Sequence, residues 1–372
     1  VGVRKDAHFV TYNYNLMIEE IEWEISSLCN ASCPQCPRNI NGGATWPDLP
    51  LTVTSVDTFL LPDVAKLLQQ VKRLYLCGTY GDPITNKHLL KIIKTVREIN
   101  PGITIDIHTN GGLHSTQYWQ HLAELINGNG TVYFAIDGLE DTNHLYRVNV
   151  DFDKAFGNAL AYIKAGGTAV WDFIVFKHNE HQVDTAQSLA KSSGFKKINF
   201  KKSSRFFDKN HSFIDKYPVL NSQKEVAYYL EPSQKFLNND YEKIHWFNNN
   251  QQLTEYFSTT SISCYSKQIK KIFVTVEGYV FPCGWLHDRM YGEKSTNHRD
   301  QIQLDHLWEI AGGKRRSNIH HTAVTDIIAG DGSWFDTIEK SWTNSNRLER
   351  CGLHCGQEIN LIKYQNDITY DL

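Results

Sequence analysis

Between residues 18 and 205 the chain alternates short β-branched or aromatic runs with longer amphipathic ones, and this alternation leaves few folds open. The runs IEWEISS, RLYLCG, ITIDIHT, VYFAID, WDFIVFK and KINFKK read as strands. Helix-like stretches separate them: PDVAKLLQQV, NKHLLKIIKTVREIN, YWQHLAELING, FDKAFGNALAYIKAGG and DTAQSLAKSSGF. Six strands joined by right-handed crossovers make a parallel sheet that can curl into a partial barrel, with the loops after the strands forming its mouth.

The 372 residues exceed what one core usually serves, so a barrel with a smaller second unit is expected. Residues 1–17 form an N-terminal extension, 18–205 the barrel, 206–262 a polar, Asn-rich linker with one or two helices, and 263–372 the second unit with a C-terminal tail. That unit opens on KKIFVTVEGYVFPCGWL, two strands around a Glu277-Gly278 turn, and continues into a short helix, LDHLWEIAGG, which Gly312 or Gly313 is placed to end. A net charge of −3 offers no global field for nucleic acid or anionic membrane. The chain also lacks an 18-residue apolar run and a signal-peptide pattern at residue 1, so a cytoplasmic protein with neither partner is expected.

Eight cysteines in a chain of this kind suit metal ligation better than disulfides. The loop after the first strand, SSLCNASCPQCPRN, holds Cys29, Cys33 and Cys36. Thiolates select zinc or iron–sulfur clusters, and three of them on a four-iron cubane leave one iron open.

The C-x3-C-x2-C spacing after the first strand of a βα chain resembles the signature of radical S-adenosylmethionine (SAM) enzymes. The resemblance implies a partial (β/α)6 TIM-type barrel and a [4Fe–4S] cluster on Cys29, Cys33 and Cys36, its open iron chelated by the amino and carboxylate groups of SAM. The segment LCGTYGDP lies where that family carries a GGEP-like motif, which places Tyr80, Gly81, Asp82 and Pro83 near the SAM amino group. HTNGG and AIDGLEDTNHLYR also resemble family segments. By carry-over, Asn110 would contact the cofactor, Asp137 would lie near the ribose or substrate, and Arg147 would face the methionyl carboxylate.

Cys264, Gly278 and Cys283 are spaced like the opening of the auxiliary SPASM or twitch domain, and Cys351 and Cys355 complete four ligands. The longer SPASM version needs three more cysteines, so the closer match is a twitch domain, a β-hairpin plus helix, with a second [4Fe–4S] cluster. Cys77, left over, reads as a small buried side chain. Arg205, at the end of the sixth strand, belongs to a basic run that is expected to be a solvated face; an anionic substrate group is the other reading.

The function implied is reductive cleavage of SAM to a 5′-deoxyadenosyl radical and hydrogen abstraction from an organic substrate, with net oxidation through the second cluster. The substrate would be a small molecule, a peptide or a protein side chain, and flavodoxin or ferredoxin would supply electrons. Only 28 residues precede Cys29, which leans the expectation away from a maturase of ribosomal peptides, the alternative enzyme. Outside enzymes, a zinc-stabilised binding module remains.

Overall fold

The computed structural model describes residues 18–203, 205–206, 214–235, 250–288, 290–292, 299–343, 347–357 and 368–372. The N-terminal extension and parts of the linker and tail expected above lie outside these residues.

The six strands anticipated from periodicity are present as β1 (Glu20–Trp23), β2 (Arg73–Leu76), β3 (Thr104–Thr109), β4 (Thr131–Ala135), β5 (Thr168–Val175) and β6 (Lys197–Lys202). Each pairs with the next in parallel. The crossovers between them carry helices Pro62–Leu68, Leu89–Ile99, Thr116–Ile126, Phe152–Lys164 and Val183–Ser192. Caps set where these begin: Ser115 accepts from the Tyr118 amide, and Asp151 from that of Lys154.

Beyond the barrel strands the linker forms an antiparallel hairpin, β7 (Tyr217–Leu220) with β8 (Val226–Leu230), which the sequence pattern did not announce. The hairpin expected around Glu277-Gly278 is β9 (Lys271–Val274) with β10 (Val280–Phe281), and Gly278 sits at φ +88°, the left-handed region a tight turn requires. Its placement was not foreseen: β9 pairs in parallel with the free edge of β1, so the C-terminal unit extends the barrel sheet. At the other edge β11 (Ile368–Asp371) pairs antiparallel with β6. The sheet therefore runs β10-β9-β1-β2-β3-β4-β5-β6-β11.

Period 2 divides the strand residues between two faces. One set, including Ile21, Trp23, Leu74, Leu76, Ile105, Ile107 and Phe134, is fully buried in the core. Trp171 anchors this layer, its ring within 5.5 Å of the Phe156 and Phe195 centroids and its indole N–H donating to the Ile136 carbonyl at 2.7 Å. Trp171→Ala removes a fully buried ring and that bond, so unfolding in urea should show a loss of about 3–5 kcal/mol with an unchanged m-value.

Candidate active site

Parallel pairing puts the C-terminal ends of β1 to β6 at one rim, and the loops leaving that rim converge. Cys29, Cys33 and Cys36 lie in the long loop after β1. Cys33 is buried and the other two are half-buried. The loop is held by backbone bonds from Ser32 to the Val148 carbonyl, Cys36 to Cys33, and Asn39 to Cys36. Arg205 clamps its far side, donating to the Gln35 carbonyl at 2.7 Å while Gln35 donates to the Arg205 carbonyl at 3.0 Å.

N–H groups from other loops point at the sulfurs. Asn110 Nδ2 lies 3.7 Å from Cys29 Sγ and donates to Asn30 at 2.9 Å; Arg147 Nη1 lies 3.6 Å from Cys33 Sγ; and the Ala31 amide points at Cys29 Sγ from 3.4 Å. Donors around sulfur favour thiolate, whereas burial pushes the other way and raises all three thiols, Cys33 to about 11. Such thiols give up their protons to a metal rather than to water, so this donor set fits an iron–sulfur cluster. Among the described residues no three His, Cys, Asp or Glu side chains stand close enough for a single ion, a spacing that a multi-iron cluster does not need.

The other residues singled out from sequence gather around the same loop. Asp82 is buried; its carboxylate accepts from the Asn110 amide at 2.8 Å and from the Ile84 amide at 3.2 Å, and its own amide donates to the Leu28 carbonyl. Pro83 starts the short 3-10 turn that Asp82 caps. Gly81 packs so tightly under the loop that a Cβ there would stand 1.9 Å from the Ser26 carbonyl oxygen. Asp137 and Arg147 form a buried pair with Nε 2.5 Å from Oδ2. Burial works against the Arg147 charge, and the adjacent Asp137 carboxylate more than offsets it. In this arrangement Arg147 is directed at Asp137 and Cys33, and Asp137 also accepts from the Ile174 amide at 2.5 Å. Tyr80 turns away from the rim, its buried hydroxyl donating to the His287 carbonyl at 3.1 Å.

Sequence reasoning missed Glu24. Fully buried one residue past β1, it accepts from the Tyr80 and Gly81 amides through Oε1, at 2.6 and 3.0 Å, while Oε2 lies 3.3 Å from His287 Nδ1. One carboxyl thus ties the end of β1 to the YGDP loop and packs against His287 of the short helix Gly284–His287. The signal was present in IEWEI, where acids alternate with apolar residues in a parallel strand that would ordinarily be apolar throughout.

A second site lies in the C-terminal unit. Cys264, Cys283, Cys351 and Cys355 line one cavity with Trp285, Trp342 and His354. Cys351 and Cys355 are four apart on helix Glu349–Cys355, which places both on one face. Cys264 and Cys283 immediately precede short helices Tyr265–Gln268 and Gly284–His287. A bond to Cys355 and then burial raise the Cys264 thiol; burial raises Cys283 to about 12. Four thiols lining one cavity, Cys355 buried and the other three half-buried, fit a fully ligated cluster. Cys77 is in neither group: it is buried and donates to Glu22 Oε1 at 3.0 Å.

Residues 23–190 match the Radical SAM superfamily. They form a radical SAM domain. The superfamily consists of enzymes that carry a [4Fe–4S] cluster. No curated protein sequence matches the chain. Among solved structures, SuiB of Streptococcus suis bound to S-adenosylmethionine superposes with a TM-score of 0.54 at 14% identity, covering 93% of this chain and 74% of SuiB. SuiB bound to its precursor peptide SuiA gives 0.53 at 14%, covering 94% and 74%. The protein anSMEcpe with bound AdoMet and the Cp18Cys peptide gives 0.50 at 17%, covering 87% and 83%. These likenesses establish a shared fold. No helix among the described residues is long and apolar enough to cross a membrane.

Burial raises the Glu24 carboxyl to about 8 from 4.5, while the two amides that it accepts from pull it down, and burial lowers His287 to about 3. A raised folded value makes the Glu24 contribution complete below about pH 4.5 and lost as pH rises through 8. Urea unfolding of wild type and Glu24→Gln at pH 6 and pH 9 should therefore show the wild type losing stability relative to the variant at the higher pH. Parallel profiles would place an ionised carboxylate at Glu24 at both pH values.

Proposed function

We propose that this radical SAM domain cleaves SAM reductively, abstracts hydrogen from an organic substrate, and completes a net oxidation with the help of a second cluster in the C-terminal unit. The observation that carries the reading is the pair of thiol sets: three sulfurs under the rim with N–H donors directed at them, and four sulfurs around a separate cavity. Cys29, Cys33 and Cys36 hold the first cluster; Cys264, Cys283, Cys351 and Cys355 hold the second, in a unit of twitch type. Bound together, the first cluster and SAM supply a 5′-deoxyadenosyl radical.

The chain's own residues position and shield. The loop of Tyr80, Gly81, Asp82 and Pro83 presents backbone to the amino group of SAM, and Gly81 lets that loop pack against the Ser26 backbone at the base of the cysteine loop. Asn110 joins that loop to the first cysteine loop, and Asp137 holds Arg147 charged and oriented beside Cys33, the place from which a guanidinium can meet a carboxylate. Four thiolates on the second cluster leave it no iron for substrate, so its use is to take up an electron. Residues 18–205 are the barrel, and the unit from 263 carries the second site. Flavodoxin or ferredoxin would reduce such a protein, and a reducing cytoplasm suits its thiols.

A peptide substrate is the second reading, supported by two structures of the same fold with peptides bound, SuiA and Cp18Cys. A colourless protein with about two zinc ions and no SAM affinity would replace both readings with the binding module.

Anaerobic reconstitution should give about eight irons and eight sulfides per chain, the content of two cubanes. Joint replacement of Cys29, Cys33 and Cys36 by Ala should halve that content and abolish SAM cleavage, as measured by iron analysis and 5′-deoxyadenosine release. Saturation near four irons in the unmodified chain would remove the second cluster from the proposal. Changing Cys351 and Cys355 to Ala should also halve the iron but keep 5′-deoxyadenosine formation. Loss of all cleavage in a variant that still binds about four irons would show that the second site does more than take up an electron.

A further inference from the structure

The set of strand residues opposite the apolar core layer is ionisable where a parallel sheet is usually greasy. Tyr75 on β2, His108 on β3, Asp172 on β5 and Lys201 on β6 belong to it by register. The Tyr75 hydroxyl lies 3.1 Å from His108 Nδ1, His108 Nε2 lies 3.1 Å from Asp172 Oδ2, and Lys201 Nζ lies 2.8 Å from the same oxygen. Asn199 donates to Asp172 Oδ1 at 2.7 Å. β5 stands two strands from β3, so the His108–Asp172 contact spans the concave face of the sheet, the barrel lumen.

The chain of bonds has a direction. Asp172 Oδ2 faces both His108 Nε2 and Lys201 Nζ, and a carboxylate in that position can only accept. Bonding to that carboxylate favours the His108 tautomer with its proton on Nε2, which leaves Nδ1 to accept from the Tyr75 hydroxyl. This order, carboxylate to imidazole to hydroxyl, is the one that lets a hydroxyl exchange a proton with a bound substrate. A network serving stability alone would close on itself. Here, among the described residues, the Tyr75 oxygen has His108 as its hydrogen-bond partner, and its own lone pairs remain to accept from something else. Tyr75, His108 and Lys201 are each partly exposed, and burial, with neighbouring acidic groups, raises the Tyr75 phenol well above its ordinary value, so it keeps its own proton until His108 takes it.

We propose that Tyr75, backed by His108 and Asp172, is the proton acceptor for a substrate bound in the barrel lumen, and that the substrate carries an O–H or N–H on the carbon that is oxidised. The inference rests on the oxidative reading above. Once hydrogen has been removed from that carbon, the radical left behind gives one electron to the oxidised iron–sulfur cluster of the four-cysteine site. The O–H or N–H proton passes to Tyr75 Oη while the phenol proton moves to His108 Nδ1. A C=O or C=N bond forms, and the imidazolium stays paired with Asp172 until its proton leaves to water.

The relay can be tested without the substrate and without turnover. The reconstituted full chain is treated at neutral pH with benzenesulfonyl fluoride, which sulfonylates hydroxyls that a neighbouring base activates, and labelling is mapped by peptide mass spectrometry. Tyr133, also in the lumen set and 6.2 Å from the Tyr75 ring, reports access to the lumen. Tyr75 should react at least about tenfold faster than Tyr133, and Asp172→Asn or His108→Asn should remove that advantage while leaving the Tyr133 rate unchanged. Equal rates at Tyr75 and Tyr133 in the unmodified chain would overturn the proposal, even if no variant folds, and so would an advantage that survives both substitutions. Iron content and SAM cleavage test the cofactor reading separately, so failure of one does not imitate failure of the other.

Discussion

Strand β1 is hydrogen-bonded in parallel on both sides, to β2 of the barrel and to β9 of the C-terminal hairpin. That double pairing is the constraint from which the functional geometry follows. The first cysteine loop leaves the C-terminal end of β1, and Cys283 follows β10, which pairs with β9, so both thiol sets are tied to one strand. Glu24 reinforces the junction just past the strand, where a fully buried carboxyl accepts from the YGDP loop and lies 3.3 Å from His287 of the short helix after the hairpin. Parallel register also settles the lumen, because every second residue of each strand must face it.

The thiols show how burial and chemistry are balanced. Taking a thiolate out of water is costly, and burial accordingly raises Cys29, Cys33 and Cys36 at the first site and Cys283 at the second. N–H groups aimed at Cys29 and Cys33 recover part of that cost at the first site. At the second, backbone N–H groups of Ser266 and Lys267 do the same for Cys264, and those of Trp285 and Leu286 for Cys283, within a wall that also holds aromatic and aliphatic side chains.

Much of the fold was legible because its signals are local. Six apolar runs, separated by amphipathic ones, specify six strands and their crossovers, and Glu277-Gly278 marks the hairpin. The cysteine spacing marks both thiol sets. The β7–β8 hairpin was not legible, because its strands lie in a polar segment without clean alternation. The pairing of β9 with β1 was not legible either, since nothing in a strand's own sequence names its neighbour across 250 residues. Arg205 shows the same limit: read as part of a solvated face or as an anion site, it is bonded across the chain to Gln35 of the cysteine loop.

By itself the sequence determined which chemistry this protein can hold, since seven cysteines in two spaced sets, a YGDP turn and a βα alternation are properties of the chain as written. Tertiary structure decided how those groups meet. It directed Arg147 at Asp137 and Cys33, bonded Tyr80 to His287 of the C-terminal unit, and assembled Tyr75, His108 and Asp172 from three strands. The physical reason is that hydrogen bonds and ion pairs between distant residues depend on register and sheet curvature, which arise only when the whole sheet closes, whereas periodicity and ligand spacing act within a few residues.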